Sequence, residues 1–542
     1  MAPRFNLTSP VLLAALAAAF ILPGLAGHDP WKSQDAIALG VVHDMVSRGE
    51  LLVPHAAGVR WLEDGPLYHW FAAAFGLLFG VVMELHAAAR LASGAFVAAA
   101  LAFIYYAGRE WTPEEQDRRT GAAAAMLTLL GAVGLMVHAH EAVPELATLA
   151  ALAGGFAALA YAGSKPVRAG LAFGVALGLA FLGGTWLAPV ALFLAAAAAH
   201  AVCAQWRRPA ALGFLGIALV CALAVSASWP AALWFTSPAA FADWQASLRS
   251  EATLAESARH LVANGSWYAW PAWVLALWSA WSLRRRWREP RLFVPAASLV
   301  LMLALQLGWG RPRDESLLAL LGPLALLAAP GVFTLRRGAV AALDWFGVLT
   351  FGFFTFLVWL GYSALTFGLP GPVARNLARI APGFAGEVQP LAIALALLLA
   401  AAWIYIVFFT PFNPMRGMFR WAAGIVLLWG TFVLLCMPWV DYQKSYRSVA
   451  LYLKSRLPAG AGCLAERSLG ISQAAALDYH GGIRARPFDR RRPQACPLVL
   501  VQGDPRREVA PPPVAGRAWR KLADVGRPGD RAERFRLYRL GK

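Results

Sequence analysis

Long apolar runs recur along almost the whole chain, and they constrain its fold more than any other feature. Hydrophobic residues make up 59% of the 542 residues and charged residues only 14%, whereas a soluble protein carries about a quarter charged residues. A run of about 20 apolar residues crosses the hydrocarbon layer as a helix. The sequence therefore predicts an all-α polytopic membrane protein with about thirteen crossings, at residues 10–26, 90–107, 121–137, 146–162, 169–184, 187–204, 211–234, 266–283, 292–309, 316–334, 346–368, 388–409 and 422–440.

Short basic clusters predict the orientation. Arginine and lysine are enriched in cytoplasmic loops, and a cytoplasmic N-terminus places nearly all of these clusters on that side. This holds only if residues 66–83, an amphipathic segment with an aromatic start, lie along the membrane surface. Residues 27–89 then form one large periplasmic loop with surface helices at about 35–48 and 66–83. The first 26 residues also resemble a cleaved signal peptide; we favour a retained anchor, and the loop lies outside in either case.

The composition changes after residue 440. Residues 441–542 are polar and rich in Pro and Gly, and they predict a small soluble α/β domain on the periplasmic side, with a helix at 445–457 and a buried strand at 497–503. This region carries most of the +18 net charge, which indicates either an anionic neighbour or an ordinary solvated surface. Its cysteines, Cys463 and Cys496, could form a disulfide in an oxidising compartment.

Ionisable residues crowd the predicted first periplasmic loop. At the rim of a membrane such residues are candidates for function, because leaving them there is costly. Asp35 begins a predicted helix, so its carboxylate is either a helix-capping group or a functional acid. Glu63 and Asp64 precede the start of the second surface helix. Arg90 lies at the mouth of the next crossing, where it is either a snorkelling anchor or a phosphate ligand.

The second periplasmic loop, residues 138–145 with the sequence HAHEAVPE, is short and unusually polar. Pro144 suits the first turn of the next helix and places Glu145 at the positive end of that helix, which favours an electrostatic role. Imidazole and carboxylate groups are ligands of divalent metals. A metal held by Glu63 together with His138, His140 and Glu141 is therefore one hypothesis for this loop.

Several function classes lack their sequence signatures. The chain has no Walker-type glycine loop, dinucleotide-binding fingerprint, nucleophile elbow or HExxH motif, which disfavours ATP-driven transport, soluble-type hydrolysis and a nucleotide cofactor. The crossings carry few charged residues at mid-membrane depth. This argues against an ion-coupled transporter, which needs charges along its path.

An ordered series of motifs resembles the GT-C fold family of polyprenyl-phosphate-dependent glycosyltransferases, in particular the branch of the aminoarabinose lipid A transferases and protein O-mannosyltransferases. Residues 49–55 (GELLVPH) resemble G-D-W-x-V-P-H, and residues 61–70 (WLEDGPLYHW) resemble F-E-K-P-P-L-Y-Y-W. Residues 89–91 match A-R-L, residues 181–185 (FLGGT) lie on F-L-T-K-G, and residues 322–327 (GPLALL) resemble P-P-L-A-L-L. Specific matching covers about the first 190 residues, and Glu145 falls where the branch has a second-loop aspartate.

The chain departs from the branch at charged positions. The presumed catalytic aspartate of the branch falls on Gln34, so Asp35 would have to substitute for it. The lysine that follows Glu63 in the motif is Asp64, and the lysine of F-L-T-K-G is Gly184. These losses leave three interpretations: a site adapted to another donor, a site that recruits Arg311 and Arg313 as replacement cations, or an inactive site.

The resemblance implies sugar transfer from a polyprenyl-phosphate donor to lipid A, another glycan or a protein at the periplasmic face of the bacterial inner membrane. Asp35, Glu63 and Glu145 are then the expected catalytic acids, with Asp35 accepting the proton of the acceptor hydroxyl. Arg90 and Arg313 are expected to bind the donor phosphate, with a possible divalent metal. The alternatives are an inactive relative that binds lipid or scaffolds an envelope complex, and a transporter or flippase.

Overall fold

The computed structural model describes residues 6–113, 117–250, 252–458, 462–489, 496–508, 510–514 and 517–541. Its N-terminal part consists of a first apolar helix, a large loop that contains two helices and a two-stranded hairpin, and one long helix. These elements are α1 (Pro10–Ile21), α2 (Gln34–Arg48), β1 (His55–Ala56), β2 (Val59–Arg60), α3 (Leu67–Phe79) and α4 (Leu85–Trp111). The predicted surface helices at 35–48 and 66–83 thus correspond to α2 and α3.

The rest of the membrane region is helical throughout. Its first half comprises α5 (Arg118–Leu130), α6 (Val133–His138), α7 (Glu145–Ala160), α8 (Pro166–Gly183), α9 (Leu187–Val202), α10 (Pro209–Thr236), α11 (Pro238–Ser247) and α12 (Leu254–Tyr268). Its second half comprises α13 (Ala272–Ser282), α14 (Pro290–Trp309), α15 (Leu318–Thr334), α16 (Arg337–Phe367), α17 (Gly371–Ile380), α18 (Pro390–Phe409) and α19 (Arg416–Lys444).

Eight helices within the described residues are long and apolar enough to cross a membrane: α4, α8, α10, α14, α15, α16, α18 and α19. Four shorter apolar helices, α1, α3, α7 and α9, accompany them. Eleven of the thirteen predicted crossings each fall on one helix, whereas 121–137 is divided between α5 and α6 and 266–283 between α12 and α13. The prediction of a mostly helical, multi-pass membrane protein is confirmed. The number of thirteen crossings stays a prediction, because several of these helices are shorter than a typical span.

The helix α2 is buried on almost every side, although its sequence is only moderately apolar. Ile37 and Leu39 pack with Leu67 and Tyr68 of α3 in a hydrophobic core that reaches Leu182 of α8. This packing fixes the large loop against the membrane helices. The loop therefore acts as a rigid platform for the polar groups that it carries.

In its described residues, the C-terminal region contains a five-stranded mixed sheet and two helices. The elements are α20 (Arg447–Arg456), β3 (Leu464–Arg467), α21 (Ile471–Gly481), β4 (Arg486–Pro487), β5 (Leu498–Gly503), β6 (Trp519–Val525) and β7 (Arg534–Leu540). The strand order is β4-β3-β5-β7-β6, parallel between β4, β3 and β5 and antiparallel between β5, β7 and β6. Cys463 and Cys496 are joined by a disulfide beside this sheet.

The C-terminal region docks directly on the large loop. Arg484 donates to Asp44 of α2 at 2.6 Å and to Asp478 of α21 at 2.7 Å. Burial raises the pKa of the Asp478 carboxyl to about 6, and the nearby Asp44 adds to the shift. Arg447 forms a second contact, donating to Asp29 of the loop at 2.6 Å and to Glu84 at 2.8 Å. The large loop is therefore held between the membrane helices and the helical side of the C-terminal region.

Candidate active site

A polar cleft opens where the large loop meets the ends of α7, α8, α11 and α14. Its empty space amounts to about 990 Å³, counting the part open to solvent. Charged and small polar residues from five separate segments line it: Glu63, Asp64, Glu145, Thr148, Gly184, Thr185, Ser247, Gln306, Arg311, Arg313 and Ser316. Most of the acids and cations predicted from the sequence thus lie in one place, although they are far apart in the chain.

Two arginines from the loop between α14 and α15 hold Glu63. Arg311 and Arg313 both donate to Oε2 of Glu63, and Arg311 also donates to the carbonyl oxygen of Ser247 at 2.6 Å. The side chains of Glu63 and the two arginines are only about one-third exposed. Because guanidinium groups bind carboxylate and phosphate in the same planar geometry, the Glu63 carboxylate occupies positions that suit an incoming phosphate.

Asp64 lies deeper in the cleft, with 6% of its surface exposed. Its Oδ2 accepts hydrogen bonds from Nε2 of Gln34 at 2.7 Å and from Nε1 of Trp61 at 2.8 Å, while Nη1 of Arg313 lies 3.6 Å from Oδ1. Burial lowers the pKa of Arg313, but the carboxylates of Asp64, Glu63 and Glu145 outweigh burial and raise it. Arg313 therefore stays cationic and shields three carboxylates.

Glu145 begins α7, as its position after Pro144 predicts. Its side chain lines the cleft, and its Oε2 is buried without a hydrogen-bond partner among the described residues. Gly184, which also lines the cleft, is where the branch has a lysine. A Cβ atom there would lie 2.7 Å from Oγ1 of Thr148, so a larger side chain at 184 would require Thr148 to move.

Gly65 fixes the loop that carries the two acids. A Cβ atom at this position would lie 2.0 Å from the carbonyl oxygen of Leu182, so only glycine lets the loop approach α8 this closely. The contact holds Glu63 and Asp64 at the C-terminal end of α8, near Gly184.

Asp35 and Arg90 form a buried pair and are not among the residues that line the cleft. Arg90 is fully buried and donates to Asp35 from Nη2 at 2.7 Å and from Nε at 3.1 Å; it also donates to the carbonyl oxygens of His28 and Asp29. The Asp35 carboxylate accepts two further bonds, from the backbone N–H groups of Trp31 and Ala142. Four donors therefore surround an acid that was expected to accept a proton from substrate.

The electrostatics of this pair agree with a positioning role. Burial alone would raise the pKa of the Asp35 carboxyl, but the Arg90 guanidinium outweighs it and holds that pKa below its usual value. Arg90 is held away from the cleft lining, so the geometry does not support its predicted contact with a phosphate. Together the two residues tie the start of α2 to α4 and to the second loop.

The predicted metal ligands do not fit one metal. Glu63 is paired with arginines, and His140 uses Nε2 on the carbonyl oxygen of Phe20 at 2.7 Å, while Nδ1 of His138 lies 3.8 Å from Glu141. Among the described residues, the side chains that lie close enough together to bind a metal ion are different ones: Asp29, Glu84 and His86. Arg447 already binds both carboxylates of that group. Neither set of residues therefore supports a metal-dependent step in the cleft.

Some residues of the cleft carried no recognisable signal in the sequence. Ser247 lies at the end of α11, and only the folded chain brings it beside Arg311, 64 residues away. Gln306 is close to Arg311 in sequence, but no motif marks it. Trp61 is part of a matched motif, yet its bond to Asp64 does not follow from the motif. From the sequence, Gln34 indicates only the loss of an acid.

Known proteins resemble this chain over most of its length. The undecaprenyl phosphate-alpha-4-amino-4-deoxy-L-arabinose arabinosyl transferase of Pseudomonas aeruginosa (strain UCBPP-PA14) is 27% identical over 489 residues, 86% of this chain and 82% of the relative. The enzyme of the same name from Aeromonas salmonicida (strain A449) is 26% identical over 481 residues, 85% of this chain and 79% of the relative. No protein-family model matches the chain.

One solved structure shows the fold. The crystal structure of ArnT from Cupriavidus metallidurans bound to undecaprenyl phosphate superimposes with a TM-score of 0.67 and covers 97% of both chains at 14% identity. The chain has the GT-C fold and resembles the aminoarabinose transferases. This confirms the fold and the resemblance predicted from the motifs. The apo structure of the same ArnT gives the same TM-score.

The GT-C resemblance makes the departures at positions 34, 64 and 184 informative. The structure places all three positions around one cleft, because Gln34 contacts Asp64, and Asp64 and Gly184 both line it. Arg311 and Arg313 line the same cleft. Of the three interpretations left open by the sequence, recruitment of these arginines agrees best with the geometry.

Proposed function

We propose that this GT-C chain transfers a sugar from a polyprenyl-phosphate donor to an acceptor hydroxyl at the periplasmic face of the membrane. The observation that carries the proposal is the cleft, which combines two partly buried arginines with three carboxylates where the large loop meets the membrane helices. The names of the relatives support an undecaprenyl-phosphate-linked aminopentose as the donor. The acceptor is lipid A, another glycan or a protein.

Arg311 and Arg313 are the proposed phosphate ligands. The leaving phosphate gains negative charge as its bond to the sugar breaks, and preorganised cations stabilise that charge in a site of low dielectric constant. Glu63 now pairs with both guanidinium groups through Oε2, which leaves one positive charge in excess. On donor binding, the phosphate would take over these hydrogen bonds from Glu63, since it offers the same acceptor geometry. The two arginines thus take the place of the lysines missing at Asp64 and Gly184.

The proposed orientation keeps the N-terminus in the cytoplasm and the C-terminal region in the periplasm of a bacterial inner membrane. The disulfide between Cys463 and Cys496 agrees with an oxidising compartment on that side. The basic clusters of the short loops then face the cytoplasm, as the positive-inside bias requires. On this topology the cleft faces the periplasm.

An assay of group transfer tests the proposal. Purified protein in lipid vesicles is supplied with a polyprenyl-phosphate-linked aminopentose and lipid A, and both products are followed by mass spectrometry. We expect free polyprenyl phosphate and sugar-modified lipid A to appear in equal amounts. Arg313→Gln should lower the rate at least tenfold, whereas Arg375→Gln, which removes an exposed arginine of α17, should not. Release of neither product with any polyprenyl-linked sugar or acceptor would overturn the proposal.

A further inference from the structure

The acid of the cleft stands at a different position from that in the branch the chain resembles, and the cation at that position is lost. The branch has an acid at position 34 and a lysine at position 64, and this chain has Gln34 and Asp64. The two side chains are in direct contact, with Nε2 of Gln34 2.7 Å from Oδ2 of Asp64. One carboxylate and one neutral amide therefore share this contact, and the negative charge stands on residue 64 instead of residue 34.

The surroundings of Asp64 suit a proton acceptor better than those of Asp35. Gln34 and Trp61 donate to Oδ2 only, and Oδ1 accepts no hydrogen bond from the described residues. The nearest cation, Nη1 of Arg313, stays 3.6 Å from Oδ1. Asp64 is thus held in one orientation through Oδ2, while Oδ1 remains available in the cleft. Both oxygens of Asp35, in contrast, are occupied by Arg90 and backbone N–H groups.

Arg313 supplies a cation beside residue 64 from another segment of the chain. It comes from the loop between α14 and α15, 250 residues from Glu63 in the chain, and it lies beside the position where the motif has a lysine. Its contacts with Glu63 and Asp64 place one guanidinium between the predicted phosphate position and the acid. The cation has therefore moved to a different segment while staying beside residue 64.

We infer that Asp64 is the catalytic base of this chain, oriented by Gln34 and Trp61, and that Arg313 replaces the cation displaced from position 64. The inference rests on the proposed function. In the reaction, the acceptor hydroxyl oxygen forms a bond to the anomeric carbon as its proton passes to Oδ1 of Asp64. The bond from that carbon to the phosphate oxygen breaks, and its electron pair leaves with the phosphate, whose charge Arg311 and Arg313 neutralise. The proton then passes from Asp64 to water.

Glu145 is the competing acid, because it lines the same cleft and its Oε2 has no partner among the described residues. It differs from Asp64 in that no neighbouring side chain orients its carboxylate by a hydrogen bond within the described part of the cleft. Glu145 instead stands at the N-terminus of α7, where it can accept a hydrogen bond from the sugar or the acceptor. The experiment must therefore separate the two acids.

Moving the carboxylate back across the contact tests the inference. Asp64→Asn should lower kcat by about 10²–10⁴-fold, the usual contribution of a general base. Gln34→Asp/Asp64→Asn closely preserves the side-chain sizes and keeps the net charge of the wild-type cleft, and it should recover at least tenfold of the lost kcat. Asp44→Asn, which removes a similarly buried acid of α2 away from the cleft, is the control for general damage. Size-exclusion profiles and thermal stability verify folding of each variant.

The outcomes separate this inference from the proposed function. Recovery of kcat in the double variant supports the inference, because it shows that a carboxylate at position 34 can accept the proton in place of one at position 64. Activity in Asp64→Asn within threefold of wild type would overturn the inference while leaving the transferase function intact. The inference would also be overturned, with the transferase function intact, if Glu145→Gln abolished turnover and the double variant recovered none of the lost kcat. A wild-type protein without transfer activity would instead overturn the proposed function.

Discussion

Arg90 and Asp35 provide the sharpest test of whether a residue predicted to be catalytic is structural. Replacing Arg90 by Met removes four hydrogen bonds and leaves the Asp35 carboxylate, 2% exposed, without its cation. Removing one partner of a buried ion pair costs about 3–5 kcal/mol, because the other charge stays buried and uncompensated. Asp35→Asn likewise leaves the buried Arg90 charge without its counter-ion, but Arg90 keeps two carbonyl acceptors, so its cost should lie at the lower end of that range, about 3 kcal/mol.

Thermal unfolding in detergent measures this loss, and the chain carries its own probes. Cys203 and Cys436 are buried free cysteines, so a thiol-reactive dye reports the exposure of the membrane core. We expect Arg90→Met to lower the apparent Tm by about 3–4 °C, because the entropy of unfolding grows with chain length and a given free-energy loss shifts the Tm of a long chain less. Turnover per folded molecule of Asp35→Asn should stay within about tenfold of wild type, since a general base contributes about 10²–10⁴-fold. A normal Tm combined with a loss of turnover of about 10³-fold in Asp35→Asn would refute the positioning role.

Three further predictions concern stability. Burial lowers the pKa of His69 to about 4, and neither ring nitrogen has a partner among the described residues. Because the unfolded chain binds a proton here below the ordinary pKa of about 6.5, His69 destabilises the fold as pH falls from about 6.5 towards 4. His69→Leu should therefore make the apparent Tm less sensitive to pH over that window, and an unchanged dependence of Tm on pH would contradict this. Gly65→Ala should destabilise the loop and lower both expression and turnover, since its Cβ would meet the Leu182 carbonyl at 2.0 Å; wild-type Tm and turnover in this variant would refute the close contact. Cys463→Ser/Cys496→Ser removes a disulfide that closes a loop with a sequence separation of 33, and in the chain-entropy model this lowers the free energy of unfolding by about 3–4 kcal/mol. Limited proteolysis should therefore cleave the C-terminal region of this variant sooner than that of the wild type, and equal cleavage rates would argue against a stabilising disulfide.

The helices could be predicted from the sequence because each depends on a local pattern. Eleven of the thirteen apolar runs that predicted a crossing each lie on one helix, and the other two are each divided between two helices. The amphipathic pattern of residues 35–48 predicted α2 to within one residue. Motifs around Glu63 placed that acid beside the helix α3. In each case the residues that decide the structure are close together in the chain.

The organisation of the site could be predicted only in part, because its contacts are long-range. The N–H of Ala142 reaches Asp35 across 107 residues, and Arg313 reaches Glu63 across 250. Arg311 and Arg313 could be named as replacement cations, but nothing local shows that both converge on Glu63. The available oxygen of Asp64 depends on the bonds of Gln34 and Trp61, which periodicity and motifs do not reveal.

Native mass spectrometry of the purified protein, with polyprenyl phosphate supplied, tests the central claim most directly. We predict one bound polyprenyl phosphate on the wild type and on Arg375→Gln, and a strongly reduced bound fraction on Arg311→Gln/Arg313→Gln. A wild-type protein that is folded yet never retains this lipid, or a double variant that retains it as well as the wild type, would contradict the assignment of the cleft as the donor-phosphate site.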